Sequence, residues 1–184
     1  ALTTWTSAEV TGTKPAPRYQ HCAWVVDGRE MWISHGSLNG RRLQGTPRVL
    51  DLRTLSWSSR EAREEGGGTL AAVSVAAAVV APNQAAYVFG GAERTSVVDV
   101  CDGSSTGAPE LDPTRAVMRA RCLDLTEDPG PSQGNAVAEP MDWIDATAES
   151  SGPGPCPRAH HTATLVGGDV YVFGGIRTHG DGGA

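Results

Sequence analysis

The feature that most restricts the fold is a stretch that the chain writes more than once. Residues 157–175, PRAHHTATLVGGDVYVFGG, run through Pro-Arg, a histidine at 161, an alternating apolar run, a glycine turn, a second alternating run and a closing Gly-Gly. Residues 17–36, PRYQHCAWVVDGREMWISHG, keep the same order: Arg18, His21, the run Cys22–Val26, Asp27-Gly28, the run Met31–Ile33, then His35-Gly36. A middle copy, residues 71–91, has the paired runs and Gly90-Gly91 without the Pro-Arg-x-x-His opening, and YVFGG itself recurs at Tyr87–Gly91 and Tyr171–Gly175. Recurrence of one unit marks a repeat architecture, in which each unit buries its apolar face against its neighbours.

Each part of the unit has a local meaning. Alternation of apolar and polar residues predicts strands, and Asp27-Gly28 or Gly167-Gly168-Asp169 between two such runs predicts a tight antiparallel hairpin, because these residues tolerate positive φ. The double glycine permits a backbone conformation barred to other residues and close approach of a neighbouring chain segment. His35 occupies one of these glycine places, so a local distortion is expected there. Downstream comes a more polar strand, as in RVLDLRTLSW, with Asp51 between Leu50 and Leu52 and then Trp57; Trp5 and Trp143 stand as the same landmark in neighbouring units. An indole at that place fits the widening gap between radial sheets.

This order of features resembles the kelch repeat. The resemblance implies an all-β fold: a kelch-type β-propeller fragment built from four-stranded antiparallel blades, with a ring that this chain alone does not close. Residues 1–10 are expected to hold the outer strand of a preceding blade, 18–60 one blade, 69–146 a second, and 157–184 the inner hairpin of a further blade. Gly36 to Gly91 spans 55 residues and Gly91 to Gly175 spans 84, so the second blade must carry an insertion. Breaker-rich segments place it at 102–120, with a further loop at 126–140. Its third strand is expected at Arg121–Leu125, with Val97–Cys101 as the alternative.

Charge excludes some partners. The chain carries 15 basic and 21 acidic residues, net -6, which argues against a nucleic-acid footprint. The surplus is uneven: residues 1–65 hold 9 basic and 7 acidic groups, and the remainder 6 and 14. No apolar run reaches the ~18 residues of a bilayer span, so no membrane partner is expected. No charged and apolar leader is visible in the residues around TTWTS, and Cys22, Cys101, Cys122 and Cys156 lack a CxxC pair, which together lead us to expect free thiols and a cytoplasmic or nuclear setting.

The sequence nominates no catalytic residue, no metal site and no cofactor. His160 and His161 are adjacent in a strand and so point to opposite faces, unsuited to sharing one ion. Arg18 and Arg158 offer guanidinium forks, yet their recurrence suits a group needed in each blade. GSLNG at 36–40 is not a nucleophile elbow, and EEGGGTL lacks the lysine of a phosphate loop. By the kelch resemblance, Arg18, His21, Gly36, Trp57, Gly90, Gly91, Trp143, Arg158, His161, Gly174 and Gly175 are structural landmarks. The same resemblance places partner contacts on loops that lead into the inner strand or follow the double glycine. That nominates Tyr19, Gln20 and His160 in the former, and Ser37, Asn39, Arg41, Glu93, Arg94, Arg177 and His179 in the latter. The expected role is a non-catalytic protein-interaction module binding a protein partner. The alternatives are part of a kelch-type oxidase or specifier-like enzyme, or a regulatory propeller fused to a catalytic domain such as a phosphatase.

Overall fold

In a computed structural model, residues 7–39, 41–43, 45–65, 73–74, 76–93, 120–126, 140–146 and 155–177 are described. All their regular structure is β. The first sheet has five strands: β1 (Thr11–Gly12), β2 (Cys22–Val26), β3 (Glu30–Ser34), β6 (Arg48–Asp51) and β7 (Ser56–Ser59), ordered β1-β7-β6-β3-β2. After β3 a small hairpin, β4 (Ser37–Leu38) with β5 (Arg41–Arg42), projects from the double-glycine position. The second sheet repeats the plan with β8 (Ala62–Glu64), β10 (Ala77–Val80), β11 (Ala85–Phe89), β13 (Ala120–Asp124) and β14 (Met141–Asp145), ordered β10-β11-β13-β14-β8. Beside it, β9 (Val73–Ser74) pairs with β12 (Ala92–Glu93). The chain then forms a long hairpin, β15 (Arg158–Val166) and β16 (Asp169–Arg177).

Four strands of each complete sheet are antiparallel, as the repeat implies, and a short fifth joins them in parallel. β1 runs parallel to β7 and β8 parallel to β14. Since β8 follows β7 after only Arg60 and Glu61, the chain leaves the outer strand of one blade and at once becomes the edge of the next. Thr11–Gly12 is the parallel edge of the first sheet, whereas residues 1–6 of the segment expected to hold a preceding blade's outer strand, Trp5 among them, lie outside the described residues. The third strand of the second blade begins one residue before the expected Arg121. Of the insertion expected at 102–120, Ala120 instead opens β13 and the rest lies outside the described residues, as do nearly all of the 126–140 loop and the glycine stretch 66–70.

The hairpin turns follow from their residues. Asp27 and Gly28 both take positive φ, 51° and 63°, which matches the twist of the flanking strands. Asp51 closes the β6–β7 turn by accepting hydrogen bonds from the backbone N–H groups of Arg53 (2.8 Å) and Thr54 (2.9 Å). Those two N–H groups, with Arg29 beside them, pull its carboxyl pKa down to about 2.

The sheets stack as successive radial layers. β10, the inner strand of the second sheet, packs on one side against β2 and on the other against β15, so three inner strands lie side by side around a common axis. Period-two alternation sends Cys22, Trp24, Trp32 and Val49 to one face of the first blade, where they meet Ala86, Val88, Leu123, Leu125, Met141 and Trp143 of the second. Trp24 and Trp32, cross-strand partners, stack with centroids 6.2 Å apart. Trp143 is 1% exposed and does fill the gap between blades, whereas Trp57, at the same place in the preceding sheet, is only half-buried and outside this cluster. Trp57 pairs with Leu50 on the opposite face of the first blade, which no described blade covers.

Candidate interaction face

The repeat motif proves to be a backbone device. Arg18 donates from Nη1 to the His35 carbonyl (3.1 Å) and from Nε to that of Ala16 (3.3 Å). Arg158 does the same two blades on, to the Gly174 carbonyl (2.9 Å) and that of Cys156 (3.2 Å). Each guanidinium thus ties the leading loop to the first residue of the double-glycine turn. Two orphan carbonyls that a tight turn would otherwise leave unsatisfied gain charge-assisted donors.

Backbone angles repeat with equal fidelity. His35, Gly90 and Gly174 have φ of 60°, 61° and 71°, and Gly36, Gly91 and Gly175 have 96°, 90° and 87°. The distortion expected at His35 does not occur: a histidine adopts the left-handed conformation of the glycine it replaces, at a cost of about 1–2 kcal/mol. Its surroundings compensate. Nδ1 lies 2.9 Å from Ser34 Oγ, and the ring meets Trp143 edge-on with centroids 5.3 Å apart. Burial, followed by the charges of Arg121 and Arg18, pushes its pKa down to about 3, so the ring is neutral at physiological pH. The second glycine is required for space. A Cβ at Gly175 would stand 2.8 Å from the Ala159 carbonyl oxygen, and one at Gly36 2.9 Å from that of Tyr19.

These contacts set the leading loops beside the post-glycine segments. Tyr19 and Ser37 exchange two backbone hydrogen bonds, of 2.9 and 2.8 Å, and Ala159 pairs with Ile176 in the equivalent place. In the middle copy Ser74 pairs with Ala92, so the geometry survives loss of the Pro-Arg-x-x-His opening. The Gly91 N–H donates to the Arg158 carbonyl (3.1 Å), joining the second and third blades at this end.

Among the nominated contact residues, Tyr19, Gln20, Asn39 and His160 are exposed. Gln20 and His160 occupy equivalent positions and share left-handed backbones, φ 57° and 58°. Ser37 requires correction: its side chain is 1% exposed, because β4 turns it inward, so it offers no surface to a partner. Arg41, Glu93 and Arg177 lie in β5, β12 and β16 respectively, and Arg94 and His179 fall outside the described residues. His160 is exposed and His161 buried, as alternate facing requires. Burial, Arg158 and, in opposition, the Phe89 backbone set the His161 ring's pKa, with a net lowering.

Two buried polar groupings escaped the sequence reading. The Gly45 carbonyl accepts from both Ser34 Oγ (2.7 Å) and Trp143 Nε1 (3.3 Å), joining two blades through one oxygen. Arg60, 3% exposed, lies 5.5 Å from the Trp32 ring centroid, 3.5 Å from a Glu30 oxygen and 2.8 Å from Ser58 Oγ, while Trp32 Nε1 donates to the other Glu30 oxygen. Arg60 follows the serine-rich strand β7 with no motif around it, so only the spatial meeting with Trp32 reveals it. Among the described residues no three His, Cys, Asp or Glu side chains gather as metal ligands, and no helix is long and apolar enough to cross a membrane. Cys22 and Cys156 are free thiols, with burial raising Cys22 to about 12.

Radial antiparallel sheets, a shared axis and the repeated Arg/Gly-Gly geometry define a partial β-propeller of the kelch class. Its fold matches that of YjhT, with a TM-score of 0.55 at 17% identity over 92% of this chain and 38% of that one. In sequence the chain is distantly related to acyl-CoA-binding domain-containing protein 6 of Oryza sativa subsp. japonica, 28% identical over 171 residues, and to protein 4 of that name from Arabidopsis thaliana, 26% identical over 177 residues. These alignments take in 93% of this chain and 22% and 21% of the relatives, so the chain spans about a fifth of their length. No protein-family model matches the sequence.

Proposed function

We propose that this propeller arc is a non-catalytic protein-interaction module whose contact surface is the end carrying the leading loops and post-glycine segments. The observation that carries this reading is the division of labour at that end. Arg18 and Arg158, which recur, are occupied with backbone carbonyls, while their non-recurring neighbours Tyr19, Gln20 and His160 are exposed. Side chains that vary on a fixed frame are suited to recognition. The relatives are named for acyl-CoA binding, which favours a larger protein in which a propeller accompanies a small-molecule-binding domain.

The test is chemical crosslinking and co-purification with the longest natural form of the protein, in wild type and in a Tyr19→Ala/His160→Ala double variant. Arg41→Glu and Arg94→Glu form a second arm. Capture of a partner that these changes abolish, at unchanged thermal midpoint, supports the reading. Undiminished capture in both arms refutes this face as the contact surface.

A further inference from the structure

Charge in this arc is sorted along the axis, blade by blade. Strand directions put the double glycines at one end and the hairpin turns at the other. In the first blade Asp27 and Asp51 stand at the turn end, while Arg18, on the His35 carbonyl, and Arg48, opposite Ile33, stand at the glycine end. In the second, β13 runs from Arg121 beside Val88 to Asp124 beside Ala85, with the same result. The last hairpin repeats it, with Asp169 at the turn and Arg158 opposite Arg177 at the far end. Of the charges that break this order, Arg29 is ion-paired with Asp51, and Asp145 is the cross-strand partner of Arg121; Arg53 and Glu93 are others. A polarity written into every blade belongs to the plan of the repeat and not to the two outer faces of the arc. A five-residue strand spans ~17 Å, about twice the screening length of ~8 Å in physiological salt, so each end meets a partner with its own charge.

The cations at the glycine end lack counter-ions. Arg18, Arg48 and Arg158 are half-buried, and none is ion-paired among the described residues, whereas Arg29, Arg60 and Arg63 each have a carboxylate. Like charges meet there instead: Arg158 faces Arg177 directly across the hairpin, an arrangement that costs stability, and burial followed by the charge of Arg48 lowers the Arg18 pKa. We propose that the partner of this end is a protein that presents a short acidic stretch, Asp or Glu carboxylates on an extended chain. The proposal rests on the reading of this end as the contact surface and names the chemistry it selects. Carbonyl ties hold Arg18 and Arg158 in place, so their guanidinium groups meet a carboxylate with little further loss of side-chain freedom. Exposed Tyr19 adds a ring beside them. The net charge of -6 opposes long-range approach of an extended polyanion, while a short acidic segment reaches the cationic end alone.

Fluorescence anisotropy with the longest natural form of the protein and fluorescein-labelled hexaglutamate tests this, with labelled hexaglutamine as the neutral control. The expected result is saturable binding of hexaglutamate alone, weakened by added salt. Arg48 holds no carbonyl among the described residues, so Arg48→Gln leaves the tie made by Arg18 in place. It should weaken binding about tenfold, the loss of one charge-assisted hydrogen bond, while Arg53→Gln at the turn end leaves binding unchanged. Arg41→Gln, in the small β4–β5 hairpin, gives a second reading away from the blade core, and circular dichroism checks the fold of each variant. Equal binding of the two peptides overturns the proposal, as does equal weakening by Arg48→Gln and Arg53→Gln. Tighter binding of phosphatidylserine vesicles or of a DNA duplex than of hexaglutamate also overturns it, and assigns the end to that class of ligand. Capture of a natural partner that Tyr19→Ala/His160→Ala abolishes, without hexaglutamate binding, refutes the acidic chemistry and leaves the contact surface standing; hexaglutamate binding with no effect of Arg48→Gln or Arg41→Gln refutes the surface as well.

Discussion

Trp57 and Trp143 hold the same place in successive repeats, yet replacing them with alanine should have very different costs. Trp143 is 1% exposed, packed in the inter-blade cluster, edge-on to His35 and bonded to the Gly45 carbonyl. A buried indole removes about 150–250 Å² from water. At about 25 cal/mol per Å² that burial is worth ~4–6 kcal/mol, and measured losses for buried Trp→Ala changes of about 3–5 kcal/mol include the cavity left behind. Trp57 is half-buried on a face that no described blade covers, so the same change there should cost ~1–2 kcal/mol, from its smaller buried area. Urea unfolding followed by far-ultraviolet circular dichroism gives both values from midpoints at constant slope. Trp143→Phe, which keeps most of the area and loses the indole N–H, should fall between them. Equal losses at the two tryptophans, or a larger one at Trp57, would refute the assignment of the inter-blade core.

Three further outcomes can be checked alongside. His35 is held near a pKa of about 3 in the folded chain and regains its ordinary value, near 6.5, on unfolding. The unfolded state therefore binds the extra proton between these values: the stability is fully present above 6.5, is lost as pH falls toward 3, and changes by up to ~1.4 kcal/mol per pH unit. Urea midpoints from pH 4.5 to 7 should show this slope in wild type and lose most of it in His35→Gln; a flat wild-type profile contradicts a neutral buried imidazole. Gly175→Ala should destabilise more than Gly28→Ala, since both have positive φ but only Gly175 would press a methyl group on a backbone oxygen, 2.8 Å away; equal thermal shifts would count against the close approach. Arg60→Ala, which removes a buried stem and the cation beside the Trp32 ring, should cost about 2–4 kcal/mol, whereas Arg63→Ala, from an exposed pair with Asp142, should cost under about 1 kcal/mol by the same unfolding assay.

How much of this could be read from the residues varies with the kind of signal. Alternation between Cys22 and Val26, or Ala85 and Phe89, is a local pattern, and the turn at Asp27-Gly28 is chemically specified, so the hairpins and their recurrence were plain. The strands β1 and β8 were not. Two or three residues have no periodicity to display, and their place depends on partners, Trp57 and Trp143, that lie dozens of residues away. His35 misled for the opposite reason: its identity argues against a left-handed backbone, and the stabilising neighbours, Ser34 and Trp143, meet it only in three dimensions. At the candidate face the leading loops were legible because Pro-Arg-x-x-His is a fixed motif. Ser37 was misplaced because a post-glycine position reads as loop, while the inward turn of β4 comes from its pairing with Tyr19 and Arg42.

The passage from β7 through Arg60 and Glu61 into β8 has a practical corollary for cooperativity. Structural units here are out of phase with sequence repeats: a cut made where one repeat ends and another starts would strip an edge from the adjacent sheet. Melting one blade should likewise tug a strand from its neighbour, so unfolding ought to propagate round the arc instead of stopping at blade borders. Any attempt to transplant a single repeat must carry its predecessor's last few residues with it.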